Sequence, residues 1–209
     1  MTGLGLKLGN FIVYLSGGNL FPLLLAAMAL SIILGLGLPT APAYIITSSV
    51  VGPALVSAGV PMLTAHLFVF YFSLLAMVTP PVALVSFTAA SIAKANTTET
   101  CWEGFKLTFA AFIVPYMFVY SPVLLMEGTV PMIVWATITA VIGIVFFACS
   151  IQGFFFGELS IIQRGLLFIA SLMTIYSGLI TDLIGALIFG IVIFGFSRQR
   201  EKVLRYVRR

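Results

Sequence analysis

The residues able to do chemistry in this chain gather at two interruptions of an apolar tract, Gly35-Leu36-Gly37-Leu38-Pro39-Thr40-Ala41-Pro42 and Thr79-Pro80-Pro81. Proline removes a backbone donor and pushes the residue before it away from the α region. Carbonyls around Gly37 to Pro42 therefore lose helical partners, and so do those of Met77, Val78 and Thr79. The hydroxyls of Thr40 and Thr79 stand beside them. A dry cluster of carbonyl and hydroxyl oxygens without a carboxylate suits a hard monovalent cation such as Na+, while a helix restarting after each break offers N–H groups to an anion. A stripe of further hydroxyls follows each break: Thr47, Ser48 and Ser49 after the first, Ser86, Thr88 and Ser91 after the second. Such residues serve equally as ordinary glue between membrane helices.

Other chemistries lack their parts, and no catalytic residue or cofactor site is expected. His66 is the single histidine, so His-based metal clusters and Ser-His-Asp triads have no material. No G-x-x-x-x-G-K-[ST] occurs, and Gly3-x-Gly5 and Gly35-x-Gly37 do not continue into a dinucleotide fingerprint. Glu99, Glu103, Glu127, Glu158, Asp182 and Glu201 all fall at predicted segment ends rather than in buried pairs. His66, on an apolar run, is an intramembrane candidate by type but reads as an interfacial or hydrogen-bonded neutral imidazole. Cys101 and Cys149 read as unpaired thiols behaving as small hydrophobes.

The elements that must position these residues belong in lipid. Residues 8 to 93 contain no Asp, Glu, Lys or Arg; the chain is 61% hydrophobic and only 8% charged, with mean hydropathy +1.20. A soluble enzyme is excluded by that composition. Backbone polar groups in lipid must be satisfied internally, so irregular backbone is tolerated only where it is buried or lines a cavity. The expected fold is an all-α integral membrane protein, a polytopic helical bundle with a discontinuous transmembrane helix and a re-entrant helical hairpin. The net charge of +4 comes from Arg198, Arg200, Lys202, Arg205, Arg208 and Arg209, a basic flank for anionic headgroups rather than a nucleic-acid surface.

The pattern divides the chain into residues 1–18, the end of a preceding helix or an interfacial stretch; 19–103, the broken helix and hairpin; 104–197, four apolar runs; and 198–209, a basic tail expected in the cytoplasm. Residues 19–37 form a first span and 43–59 a second helical piece. Residues 61–78 and 82–93 form the hairpin arms, with Thr79-Pro80-Pro81 at the tip; one long kinked helix is the alternative. The four later runs are about 105–126, 131–149, 160–178 and 183–197. The aromatic runs Phe68-Val69-Phe70-Tyr71-Phe72 and Phe154-Phe155-Phe156 read as lipid-facing or interfacial. Four crossings before a cytoplasmic tail put both hairpin ends in the cytoplasm as well.

At its two interruptions the chain resembles the large permease subunit of tripartite ATP-independent periplasmic (TRAP) transporters, above all the fused permeases that work with TAXI-type binding proteins. The resemblance is carried by Gly35 to Ile45, by Ala65-His66-Leu67-Phe68-Val69-Phe70-Tyr71, by Thr79-Pro80-Pro81-Val82-Ala83 and by Phe112-Ile113-Val114-Pro115-Tyr116. It covers residues 20 to 125 well and the rest loosely. It implies half of an elevator-type, inverted-repeat secondary transporter of the bacterial inner membrane. Such a permease couples Na+ entry to uptake of an organic acid delivered by a periplasmic binding protein. Gly37, Pro39, Thr40, Thr79 and Pro80 would line the second Na+ site, joined by Val78, with Thr40, Pro81 and Ser86 facing the substrate. The family's first repeat and small-subunit region have no counterpart in these residues, so the chain is expected to be a C-terminal portion that works with an N-terminal permease half. The family's second hairpin opens on the extracytoplasmic side, opposite to the side the charges indicate. Two other readings are a membrane-embedded enzyme, for which the sequence offers no intramembrane acid or histidine pair, and a non-transporting remnant or assembly subunit.

Overall fold

The computed structural model describes residues 4–155, 157–175, 178 and 181–192. It divides into two compact units, Met1–Leu125 and Met126–Arg209. Among the described residues every regular element is helical, with one isolated bridge between Phe154 and Glu158.

The first unit begins with α1 (Leu4–Leu15), a packed helix where the glycine-rich sequence suggested the end of a preceding helix or an interfacial stretch. The Leu- and Ala-rich α2 (Leu20–Gly35) stops because Gly37 turns the chain with φ +75°, a conformation open to glycine without steric cost. Pro39, at φ −60° and ψ 155°, then starts α3 (Thr40–Ser57), and Pro42 falls in the first turn, where no amide donor is needed. Gly59, at φ +90°, and Pro61 turn the chain into α4 (Met62–Leu75). Irregular residues 76–83 lead to the short α5 (Leu84–Ala93), which ends on Lys94 in the left-handed region. The Asn96 side chain accepts from the amides of Thr98 and Glu99, at 3.0 and 3.3 Å, and so caps α6 (Thr97–Thr108).

The run expected from 105 to 126 is not one helix. It breaks into the end of α6, a 3-10 turn (Phe109–Ile113), α7 (Val114–Tyr120) and a second 3-10 turn (Pro122–Leu125). Pro115 opens α7, and Pro122, which cannot donate, follows its end. Helix α6 packs on α5 and α7 on α4, and the first compact unit extends to Leu125.

Helices α2, α3 and α4 form the core of this unit. Leu23, Leu24 and Ala27 meet Val51 and Leu55, and Ala65, Phe68, Val69 and Phe72 fill the remainder. The expectation that Phe68 to Phe72 face lipid is therefore corrected. Phe68 and Phe72 are fully buried, with Tyr116 of α7 at ring-centre distances of 5.4 and 6.0 Å. Rings at positions i and i+4 share one side of a helix, and that side faces protein. Phe70 points outward.

The second unit contains α8 (Val130–Gln152), α9 (Ile161–Ile175) and α10 (Thr181–Val192). Glycine permits the close approach: a Cβ on Gly143 would lie 2.8 Å from the Thr174 hydroxyl, and one on Gly185 2.6 Å from the Thr174 methyl. Helix α8 ends at Gly153, φ +72°, where the Arg164 guanidinium donates to the carbonyls of Ser150 and Ile151 at 3.0 and 2.9 Å. The Trp135 indole donates to the buried Asp182 carboxylate at 2.9 Å. Phe154 is exposed, as the aromatic run suggested, whereas Phe155 packs on Phe189 at 5.7 Å. Residues 193–197 of the last apolar run, and the basic tail 198–209, lie outside the described residues. By length and composition, Thr40–Ser57 and Val130–Gln152 are the described helices able to cross a membrane unaided.

Candidate ion and substrate site

The two interruptions meet. The chain leaves α2 through a turn closed by the Leu36 amide on Ile33 and the Leu38 amide on Gly35. Pro42 stands where the Leu38 carbonyl would look for an amide four residues on, and it has none to give. Opposite lies the end of α4. A Cβ built on Gly35 would sit 3.0 Å from the Ala76 Cβ and 3.6 Å from the Ser73 carbonyl oxygen, and one built on Gly37 would sit 3.5 Å from Val82. The Thr40 hydroxyl reaches the Met77 thioether at 3.4 Å. Gly37 thus stands against Val82, and Thr40 against Met77.

The freed oxygens are fewer than the sequence indicated. The Thr79 carbonyl accepts the Ala83 amide at 3.2 Å, and the Met77 carbonyl accepts the Val85 amide at 3.2 Å. Each thus has one of its two lone pairs engaged where the chain curls back; the Pro80–Pro81 peptide is cis. Of the three carbonyls only that of Val78 lacks such a bond. The Thr79 hydroxyl donates to the Leu75 carbonyl at 2.7 Å, and a donating hydroxyl keeps its lone pairs for a further partner. The amide count is also reduced. In α5 the second amide is engaged by Met77, so Leu84 and Ser86 are the first-turn donors left; in α3 they are Thr40 and Ala41.

Ser86 does not join Thr40. It is buried against α6, where a Cβ on Gly104 would come within 2.7 Å of its hydroxyl. The remaining hydroxyls divide by role. Thr47 and Ser73, both fully buried, meet at 2.7 Å and tie α3 to α4 one turn from the breaks. Ser49, Thr88 and Ser91 are exposed and Ser48 is half-buried, and all four bond to carbonyls of their own helices. His66 bonds through Nδ1 to the Tyr44 hydroxyl at 2.8 Å, the hydrogen-bonded imidazole the sequence suggested. Ser73, and the Met77 side chain as partner of Thr40, were missed by sequence reasoning, and Ala83 was read only as part of a motif. Ser73 alone left a signal, as a polar residue inside the apolar α4. Ala83 holds φ +25°, a strained conformation for a residue with a side chain, at the entry to α5.

A family model, that of the tripartite ATP-independent periplasmic transporter DctM component, matches residues 1–133, more than half of the chain. The chain belongs to the DctM family. No curated protein and no solved structure matches it. As a DctM component it is the permease part of a TRAP-type transporter, a multi-pass helical protein of the inner membrane, in a system that works with a periplasmic binding protein. The match contains both interruptions and the whole of α2 to α7, so the paired breaks lie in family sequence. Membership is in a transporter family, and no reaction chemistry needs to be assigned to the paired breaks.

Proposed function

We propose that the paired breaks form the coupling-ion and substrate site of a Na+-driven organic-acid permease. One observation supports the reading: the Gly37-Leu38-Pro39-Thr40 turn and the Met77 to Val82 segment approach each other, Thr40 at Met77 and Gly37 at Val82, in a stretch of sequence without a carboxylate. In this reading Na+ takes the Val78 carbonyl and the hydroxyls of Thr40 and Thr79, with Gly37, Pro39 and Pro80 shaping the cradle. The acid's carboxylate lies beside it, near Thr40 and Pro81, facing the first-turn amides of α3 and α5. Bound sodium supplies the positive charge that an arginine would otherwise provide, which couples the two ligands: each binds better with the other present.

The same reading makes α2 and α3 a discontinuous span and Thr79-Pro80-Pro81 the tip of a re-entrant hairpin, one half of an elevator-type transporter. It also makes the binding-protein partner TAXI-type and adds an N-terminal permease half and a small-subunit region. Sodium-dependent uptake in proteoliposomes, with the complete permease and its binding protein, tests the site. Thr40→Ala and Thr79→Ala are each expected to raise the sodium concentration for half-maximal uptake about tenfold, the effect of losing roughly 1.4 kcal/mol of binding. Unchanged sodium dependence and rate in both variants would place the cation elsewhere.

A further inference from the structure

Thr40 differs from the neighbouring hydroxyls in where its hydrogen goes. Thr47, Ser73 and Thr79 each have a carbonyl four residues back at 2.7–2.8 Å, the ordinary acceptor for a hydroxyl on a helix. Thr40 is the first residue of α3, and behind it lies the turn after Gly35 instead of a turn of helix. Its hydroxyl meets the Met77 thioether at 3.4 Å.

That pairing has one possible direction. A methionine sulfur accepts and never donates, so the single hydroxyl hydrogen of Thr40 points at it. What the Thr40 oxygen has left is lone pairs. Lone pairs attract a cation and repel a carboxylate, which needs donors. The sulfur itself is a poor ligand for a hard ion such as Na+, which favours oxygen. Met77 therefore acts on a cation through the oxygen that it turns. Its own backbone is pinned on both sides: the amide donates to the Leu74 carbonyl and the carbonyl accepts the Val85 amide, each at 3.2 Å. The thioether reaches α3 from a fixed root.

We propose that Met77 is a positioning residue that commits the Thr40 hydroxyl to the coupling cation. The acid's carboxylate is then left to the first-turn amides of α3 and α5. This rests on the reading of the paired breaks as the ion site, and the test separates the two. The probe is Na+ alone. The complete permease in detergent is heated over a series of NaCl concentrations, with choline chloride holding the ionic strength constant. Half-saturation is read from the rise in melting temperature. Met77→Leu, which nearly conserves side-chain volume, is expected to raise the half-saturating sodium about fivefold, equivalent to roughly 1 kcal/mol for one hydrogen bond. In a Thr40→Ala background the same change is expected to add nothing, because the hydroxyl it orients is gone. Met77→Ile repeats the measurement should Met77→Leu fail to accumulate. A half-saturation that Thr40→Ala raises and Met77→Leu leaves unchanged would overturn the positioning role while the ion site stands. So would a Met77→Leu shift that persists in full without the Thr40 hydroxyl. If Thr40→Ala itself leaves the half-saturation unchanged, the ion site falls and the role of Met77 falls with it.

Discussion

Gly35 and Gly37 lie two residues apart and are glycine for different reasons, which makes them separable. Gly37 holds φ +75°, and a Cβ there would meet Val82 only at an ordinary van der Waals distance of 3.5 Å. Gly37→Ala is expected to destabilise the first unit by about 1–2 kcal/mol through backbone strain alone. Gly35 is helical, and a Cβ there would press on Ala76 at 3.0 Å. Gly35→Val drives α2 away from α4 and is expected to cost about 1–3 kcal/mol by overpacking. Thermal unfolding in detergent reads both, and the pair Gly35→Val with Ala76→Gly separates them further. A partial rescue by Ala76→Gly belongs to the steric site and has no counterpart at Gly37. In both cases the glycine itself was visible in the sequence. The partner was not, since Ala76 and Val82 are brought opposite by the fold.

At the scale of elements, helix ends were the legible features, because Gly and Pro act on their own neighbours. Gly37, Pro39, Gly59 and Pro61 set the boundaries of α2, α3 and α4 within a few residues of the expected ones. Hydrogen bonding across the tip was not legible. The amides of Ala83 and Val85 reach Thr79 and Met77 only because residues 80–83 fold back, so a count of prolines overestimated the free carbonyls. The buried sides of Phe68 and Phe72 were hidden for a related reason. In lipid, apolar rings are at home on either side of a helix, so hydropathy carries no inside-outside signal. The end of α8 offers a test of an element boundary. Arg164→Met removes two charge-assisted bonds to the carbonyls of Ser150 and Ile151, each worth roughly 1.5–3 kcal/mol. Faster amide exchange is expected over the last turn of α8, with the first unit unaffected. Exchange unchanged there would mean that Gly153 alone closes the helix.

For the whole molecule, the two tryptophans report on what surrounds each unit. Trp135, in α8, is about half exposed among the outward residues Met132, Val134 and Ile138, a surface suited to acyl chains. With Trp102→Phe in place, Trp135 emission is expected to be quenched more by lipids brominated on the acyl chain than by aqueous iodide. The opposite order would show that α8 does not face lipid. A property of larger consequence belongs to the Thr47–Ser73 contact. Thr47 points at the Ala43 carbonyl at 2.8 Å, Ser73 at the Val69 carbonyl at 2.8 Å, and the two oxygens at one another at 2.7 Å. With the Tyr44 carbonyl also 3.2 Å from the Thr47 hydroxyl, two hydrogens serve four contacts. Either hydroxyl can withdraw its proton to its own helix, so α3 and α4 can part at that point without stranding a donor in a dry interior. The clasp unfastens almost free of penalty, which is what neighbouring rods require if one is to slip along the other.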